Sequence, residues 1–360
     1  MDSVIVVAPN WLGDAVMALP AIADVRRSFA RARLVVAARR AVAAMFTLVP
    51  SIDEVITLEW NGKPLRRRAL QADLDRLHQA TADVAILLPN SFSTAWMLRS
   101  AGVAERWGYA TDLRRPLLTR RVRRPRGSMH QGAYYQRLMR ELGIDSGPLE
   151  PSIVVSQPLL DEARALLAAE GWDGRRPLIA VAPGAAYGTA KRWLPRYYAQ
   201  AIEQIISARD AFCVLVGSGA DAETIDDVRT AMSASTRTSA IDWCGRTSLT
   251  LLAAVLRSSA ACLCNDSGAM HLAAAVGTPV VAIFGPTREY ETAPLAHHGV
   301  PADVLISPVW CRPCMLRECP IDHRCMRGIE PSRVTDAVGR IVDLPSVTIP
   351  RIPNPEPRIP

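Results

Sequence analysis

The sequence predicts an α/β protein built from two doubly wound parallel sheets, and three observations carry that expectation. Apolar runs suited to buried strands recur with helical spacers between them, and this rhythm occurs twice. The chain has 360 residues, 49% of them hydrophobic, whereas a single core stops growing at about 250–300 residues. Turn-rich segments at 145–148 and 171–177 separate the two runs. The boundary is placed near residue 170, which gives domains over 1–170 and 171–340.

In chain order, strands are expected at 4–8, 34–38, 55–58 and 84–88, then at 178–182, 212–216, 261–264, 280–284 and 304–306. These runs are continuously apolar rather than alternating, as strands covered on both faces require. Helices expected at 15–27, 69–78, 131–142, 159–169 and 197–208 supply the right-handed crossovers. From about residue 341 the chain is rich in proline and has little to bury, so 341–360 is read as a disordered tail.

Composition narrows the class further. No basic residue precedes the apolar run at 4–8 and no stretch is long enough to span a bilayer, which predicts a cytoplasmic protein. Its eight cysteines are then expected to be reduced rather than paired. The net charge of +7 is lopsided, because residues 1–150 hold 22 Lys and Arg against 14 Asp and Glu. Arg114, Arg115, Arg120, Arg121, Arg123, Arg124 and Arg126 concentrate it. Such a run suits a phosphorylated or carboxylated partner, an anionic membrane or nucleic acid, and is otherwise a solvated loop. Few aromatics interleave with it, which argues against specific nucleic-acid binding.

Four strand-ending loops carry groups with chemistry. The first, Ala8-Pro9-Asn10-Trp11-Leu12-Gly13-Asp14, puts Asp14 at a helix start, either as a cap or as a general base. The second, residues 182–193, has Gly184 and Gly188 and ends Thr189-Ala190-Lys191-Arg192-Trp193. The sequence has only two lysines, Lys63 and Lys191, and an ammonium suits point contact with a phosphate oxygen. The third, Gly217-Ser218-Gly219-Ala220-Asp221-Ala222, matches the loose dinucleotide pattern but follows the second strand of its half rather than the first. In the fourth, Asn265-Asp266-Ser267-Gly268 opens a small-residue helix that Gly277-Thr278-Pro279 closes. A helix start at a sheet's carboxyl edge favours an anion such as pyrophosphate, although Asp266 or Ser267 capping the helix explains the same residues.

Together and in this order, these loops resemble the heptosyltransferases of lipopolysaccharide core assembly, most closely their type II members. The resemblance rests on Asn10 through Asp14 with Pro20, Pro183-Gly184-Ala185 through Trp193, Asn265 through Ala273 with Met270 and His271, and Phe284-Gly285-Pro286-Thr287. It implies a GT-B architecture, two Rossmann-like domains facing across a cleft, with acceptor on the N-terminal domain and nucleotide sugar on the C-terminal one. It further implies inverting transfer of heptose from ADP-L-glycero-D-manno-heptose to a Kdo- or heptosyl-Kdo-bearing lipid A core, with no obligatory cofactor or metal. Asp14 then corresponds to the general base. Lys191, Thr189, Asp266, Ser267, Gly268, His271 and Thr247 correspond to donor-binding residues, with Asp221 or Glu223 near the ribose. Asn10, Trp11, Gly13 and Arg120 fall on the acceptor side. The basic N-terminal domain would meet the cytoplasmic face of the inner membrane.

Cys311, Cys314, Cys319 and Cys325, with His323 among them, stand apart from these loops. Four cysteines so close in a reduced protein suit a structural zinc, less readily an iron–sulfur site, or free thiols. Two other functions remain open beside types I and III of the same family. A nicotinamide-dependent oxidoreductase requires a glycine fingerprint after a first strand, and neither half supplies one. An arginine-rich nucleic-acid binder requires stacking aromatics near the run.

Overall fold

The computed structural model describes residues 1–62 and 66–343. Lys63 and the segment 344–360, which holds most of the expected disordered tail, lie outside the described residues. Residues 341 and 342 belong to the last helix, Pro331–Val342.

The chain divides into two compact units. The first comprises Met1–Ser152 together with Tyr290–Leu295, and the second resumes at Ile153. The division therefore falls at 152/153 rather than near 170. The helix Gln157–Ala169 explains the difference: it buries Ala163 and Leu167 in the second unit, and Ile153 N already donates to Ala275 O at 3.3 Å. Local turn residues at 171–177 mark the end of that helix, not the end of a domain. The return of Tyr290–Leu295 to the first unit is held by His130, whose Nε2 lies 2.9 Å from Ala293 O, and by Ser128 bonded to Glu291.

Each unit contains a six-stranded parallel sheet. In the first, β1 (Ser3–Val7), β2 (Arg33–Arg39), β3 (Glu54–Leu58), β4 (Val84–Leu87), β5 (Glu105–Tyr109) and β6 (Arg120–Val122) lie in the order 3-2-1-4-5-6. The second has β7 (Leu178–Ala182), β8 (Phe212–Leu215), β9 (Ala240–Asp242), β10 (Ala261–Asn265), β11 (Val280–Phe284) and β12 (Ala302–Ile306) in the order 12-11-10-7-8-9. Renumbered within its own unit, the second order is the same as the first. All nine strands expected from sequence are present, joined by β5, β6 and β9.

The three additional strands lack the apolar signature for physical reasons. β5 reads Glu-Arg-Trp-Gly-Tyr and buries only its last three residues, while β6 and β9 are three-residue edge strands, each with a single neighbour. The central strands β1, β4, β7, β8, β10 and β11 are buried at every position. Burial of those apolar side chains is the main favourable term in each core.

Two helices replace the single one expected at 15–27. Leu12–Met17 and Leu19–Ser28 meet at Ala18, with Pro20 in the first turn of the second, where its missing N–H leaves no bond unmade. The Gly268–Ala275 helix ends as its sequence foretells: Gly277 takes φ 82°, its N–H donates to Ala274 O at 3.1 Å, and Thr278 N donates to Ala273 O at 2.9 Å.

Candidate functional site

In an open parallel sheet, ligands bind where the strand order reverses, at the carboxyl ends of the two strands that diverge. That point lies between β7 and β10 in the second unit and between β1 and β4 in the first. Three of the four loops picked out from sequence follow β7, β10 and β1, and the fourth follows β8.

Asn265, fully buried at the end of β10, fixes the second unit's switch point. Its Nδ2 donates to Pro183 O at 2.7 Å, and its Oδ1 accepts from Trp193 N at 3.1 Å and the Tyr198 hydroxyl at 3.0 Å. The following residue, Asp266, is 4% exposed. Its Oδ2 lies 2.6 Å from Lys191 Nζ and accepts from Thr287 Oγ1 at 2.6 Å. A carboxylate this deep requires such partners, since an isolated buried charge is prohibitively costly. Lys191 ends the tight turn Thr189–Lys191, which exposed Thr189 opens, and its ammonium also sits 5.0 Å from the centre of the Tyr187 ring. Three loops, after β7, β10 and β11, thus converge on one carboxylate.

The capping account of this helix start does not hold. Asp266 Oδ2 is engaged by Lys191 and Thr287, and Ser267 occupies the N-cap position without a side-chain capping bond. Ser267 Oγ is buried and has no hydrogen-bond partner among the described residues. A buried polar atom left unsatisfied costs about 1–3 kcal/mol, so this hydroxyl is open to a hydrogen bond from a water or a ligand. Gly268 begins the helix and His271 is buried one turn later. The first N–H groups of this helix have no intrahelical acceptor, and its dipole favours negative charge.

From this cluster the loops continue along the sheet edge. Gly184 packs against the Asp221 carboxylate so closely that any side chain at 184 would collide with it. Asp221 Oδ2 in turn accepts from Ser218 N at 3.0 Å and Ser218 Oγ at 2.8 Å, so the dinucleotide-like segment is a capped turn. Gly245 N donates to Gly217 O at 2.9 Å, which joins the loop after β9 to the loop after β8. Thr247 lies in that last loop, which follows the edge strand β9, two strands from β7. Ser248 beside it caps the helix Leu249–Ser258 through a 3.1 Å bond from Leu251 N.

In the first unit, Asn10, Trp11, Gly13 and Asp14 follow β1 at the switch point. Trp11, 56% exposed, takes the N-cap position without a side-chain bond, and Asp14 stands in the first turn of the helix. Asp14 therefore does not occupy the N-cap position. The neighbouring Tyr135 hydroxyl is held well above the ordinary tyrosine range, first by burial and then by the Asp14 carboxylate. A neutral phenol thus accompanies the acid. Nearby, Asn90 Nδ2 donates to the Tyr134 hydroxyl at 2.9 Å, and the Tyr134 and Tyr109 rings lie 4.8 Å apart. Asn90, Tyr134 and Tyr135 were not singled out in the sequence; adjacent tyrosines in a chain only 6% aromatic were the available signal.

Arg120 does not join this group. It begins the edge strand β6, three strands from β1, and stacks 4.9 Å over the Trp107 ring. Nor is the arginine run uniform. Arg114 is fully buried, and its guanidinium donates to Tyr109 O at 2.8 Å, to Pro89 O and to Asn90 Oδ1 at 3.4 Å. Burial lowers it to about 10. Arg115, Arg121, Arg123, Arg124 and Arg126 remain exposed.

Cys311, Cys314, Cys319 and Cys325 line one small pocket in the second unit, with Arg312, Arg324, Ala190, Pro286 and Ile321. All four are free cysteines, and among the described residues no group of three or more His, Cys, Asp or Glu side chains is placed to hold a metal ion. His323 takes φ 56°, and its backbone N–H donates to Cys319 Sγ at 3.2 Å.

The fold and its two switch-point loop sets define the class: a glycosyltransferase built from two Rossmann-like units. The solved structure of Escherichia coli ADP-heptose lipopolysaccharide heptosyltransferase II superposes with a TM-score of 0.80 at 25% identity, covering 94% of this chain and 98% of that one. A family 9 glycosyltransferase from Veillonella parvula matches in fold, with a TM-score of 0.81 at 21% identity over 95% and 98% of the two chains. In sequence, lipopolysaccharide heptosyltransferase 2 of Salmonella typhimurium is 29% identical over 310 residues, 82% of this chain and 86% of the relative. Residues 72–324 match glycosyltransferase family 9 (heptosyltransferase), and the chain belongs to that family.

Proposed function

We propose that the protein transfers heptose from ADP-L-glycero-D-manno-heptose to the inner core of lipopolysaccharide with inversion at the anomeric carbon. The observation that carries this reading is the Lys191–Asp266–Thr287 cluster beside the unsatisfied Ser267 hydroxyl, at the switch point of the second unit. Diphosphate meets Lys191, Ser267 Oγ and the N–H groups that begin at Gly268, while Asp266 accepts from sugar hydroxyls. Asp14 takes the proton of an acceptor hydroxyl, whose oxygen attacks the anomeric carbon. The bond to the phosphate oxygen breaks, and ADP departs with the electron pair. Its growing charge is met by Lys191 and the helix start. Exposed Trp11 supplies an apolar platform for the acceptor sugar.

Similarity to relatives named heptosyltransferase 2 supports the type II reaction over types I and III. The exposed arginines near 115–126 suit the phosphorylated core and an anionic membrane face. Among the described residues no helix is long and apolar enough to cross a membrane, so association of this kind would be peripheral. Incubation with ADP-heptose and matched acceptors ending in Kdo or heptosyl-Kdo, read by product mass, tests the proposal. Transfer to heptosyl-Kdo alone is expected. Transfer to the Kdo acceptor would reassign the protein to type I, and no product with either would overturn the reading.

A further inference from the structure

The segment carrying the four cysteines grips the donor-side loops from two directions. Arg317 O accepts from Ala190 N at 2.9 Å, and Met315 O accepts from the Tyr187 hydroxyl at 2.8 Å, so the segment holds the turn that ends in Lys191. A side chain at Gly188 would collide with the Arg317 backbone, which shows how close this approach is. On the other side, Arg312 Nε donates to Gly285 O at 2.8 Å and its Nη2 to Thr287 O at 3.0 Å, while Met315 N donates to Pro286 O at 3.0 Å. Both loops that reach the Asp266 carboxylate, through Lys191 and through Thr287, are therefore braced by residues 312–317.

That bracing segment has almost no regular structure of its own. Between β12 and the Pro331–Val342 helix, the described residues form a single turn of helix, Arg324–Arg327. Cys314 is exposed, Cys311 and Cys319 are half-buried, and only Cys325 is buried. Residues 307–323 thus bury little apolar surface with which to offset the entropy of ordering a long loop. A cross-link is the usual remedy for a segment of this kind.

We infer that Cys311, Cys314, Cys319 and Cys325 bind one soft divalent metal ion as a four-thiolate site, and that this ion fastens the brace beneath Lys191 and Thr287. The donor set fits such a site, which would close only when the ion binds. All four side chains line the same pocket, and no carboxylate lines it, so the donor set is purely sulfur, which selects zinc or iron over magnesium or calcium. The turn Cys311-Arg312-Pro313-Cys314 continues into a left-handed residue, Met315 at φ 58°. The 3.2 Å bond from His323 N to Cys319 Sγ is the backbone support a thiolate ligand requires. Arg312 and Arg324, each fixed by a carboxylate (Glu289 and Asp322), also line the pocket and offset the negative charge of four thiolates around a divalent ion. On binding, the thiols lose their protons and close onto the ion.

The test uses the full chain, purified under reducing and anaerobic conditions without a polyhistidine tag. Elemental analysis is expected to find about one zinc or iron ion per chain; which of the two it finds identifies the metal. Replacement by cobalt should produce intense sulfur-to-metal charge-transfer absorption. Because Cys314 is exposed, Cys314→Ser should fold yet lose metal and bind ADP on the order of tenfold more weakly. Removing metal from the wild-type protein with a chelator should weaken ADP binding to the same extent and lower the melting temperature, with both restored by re-addition of zinc. Four thiols that titrate freely in the purified protein, no stoichiometric metal and no cobalt–thiolate band would overturn the inference. Metal bound with ADP affinity unchanged on its removal would overturn the bracing role. None of these readouts depends on the identity of the acceptor.

Discussion

Lys191 Nζ and Asp266 Oδ2 lie 2.6 Å apart, with the two side chains only 13% and 5% exposed. The residues are 75 positions apart in the chain and belong to loops that follow different strands. Such an ion pair is costly to break from one side only, because the remaining charge stays buried. Lys191→Met should destabilise the second unit by about 3–5 kcal/mol and weaken ADP binding. Adding Asp266→Asn should recover most of the stability and none of the affinity. Thermal unfolding and calorimetric titration of both variants check this; a stable single variant would show that the pair is solvated.

Asp14 stands in the first turn of its helix rather than at the N-cap, which Trp11 occupies. Asp14→Asn is expected to reduce kcat by about 10²–10⁴ while ADP affinity and melting temperature stay at wild-type values. Wild-type turnover in that variant would remove the base assignment.

Ser267→Ala separates a ligand-facing hydroxyl from a structural one. Since Ser267 Oγ has no partner among the described residues, its removal should leave the unliganded protein as stable as before or slightly more so. Affinity for ADP should fall by roughly 1 kcal/mol, the worth of an ordinary hydrogen bond. A drop in melting temperature without loss of affinity would assign the hydroxyl to the fold instead.

Gly188 meets the Arg317 backbone so tightly that a methyl group cannot be accommodated without displacement. Gly188→Ala should cost about 1–3 kcal/mol and raise the Michaelis constant for the donor more than it lowers kcat, because it shifts the turn bearing Lys191. Equal effects on the two constants would place the damage elsewhere.

Reversing Arg115, Arg123 and Arg126 to glutamate tests the membrane role without touching buried Arg114. At about 1 kcal/mol per basic residue near an anionic surface, the triple variant should lose retention on phosphatidylglycerol-containing vesicles. Turnover on a soluble, deacylated acceptor should persist. Retention equal to wild type at moderate salt would dismiss the arginine run as a docking surface.

Local structure was legible in the sequence where one segment held all the necessary information. The helix start after Asn10, the Gly268–Ala275 helix with its glycine stop at Gly277, and the nine apolar strands are each specified within a few residues. Asp221 shows where such reading stops: its acidic side chain in a glycine-rich turn suited ribose binding, yet it is committed to Ser218 and wedged against Gly184. Arg120 is a second case. Charge density drew attention to it, but the pairing of β6 with β5 fixes it over Trp107 at the sheet edge. The short edge strands themselves escaped because three residues with one neighbour bury too little to need an apolar pattern.

The sequence by itself determined that there are two parallel-sheet units and that polar loops follow β1, β7 and β10, because strand burial and helix capping are local and periodic. Only the tertiary structure decided what those loops do to one another. It moved the division of the chain to residue 152, since the packing of Gln157–Ala169, not the turn residues after it, sets the boundary. It paired Lys191 with Asp266, left Ser267 without a partner, and set four cysteines around one pocket under the same turn. Contacts of that kind depend on strand order and register, which place residues 75 positions apart at hydrogen-bond distance and leave no trace in any short window of sequence.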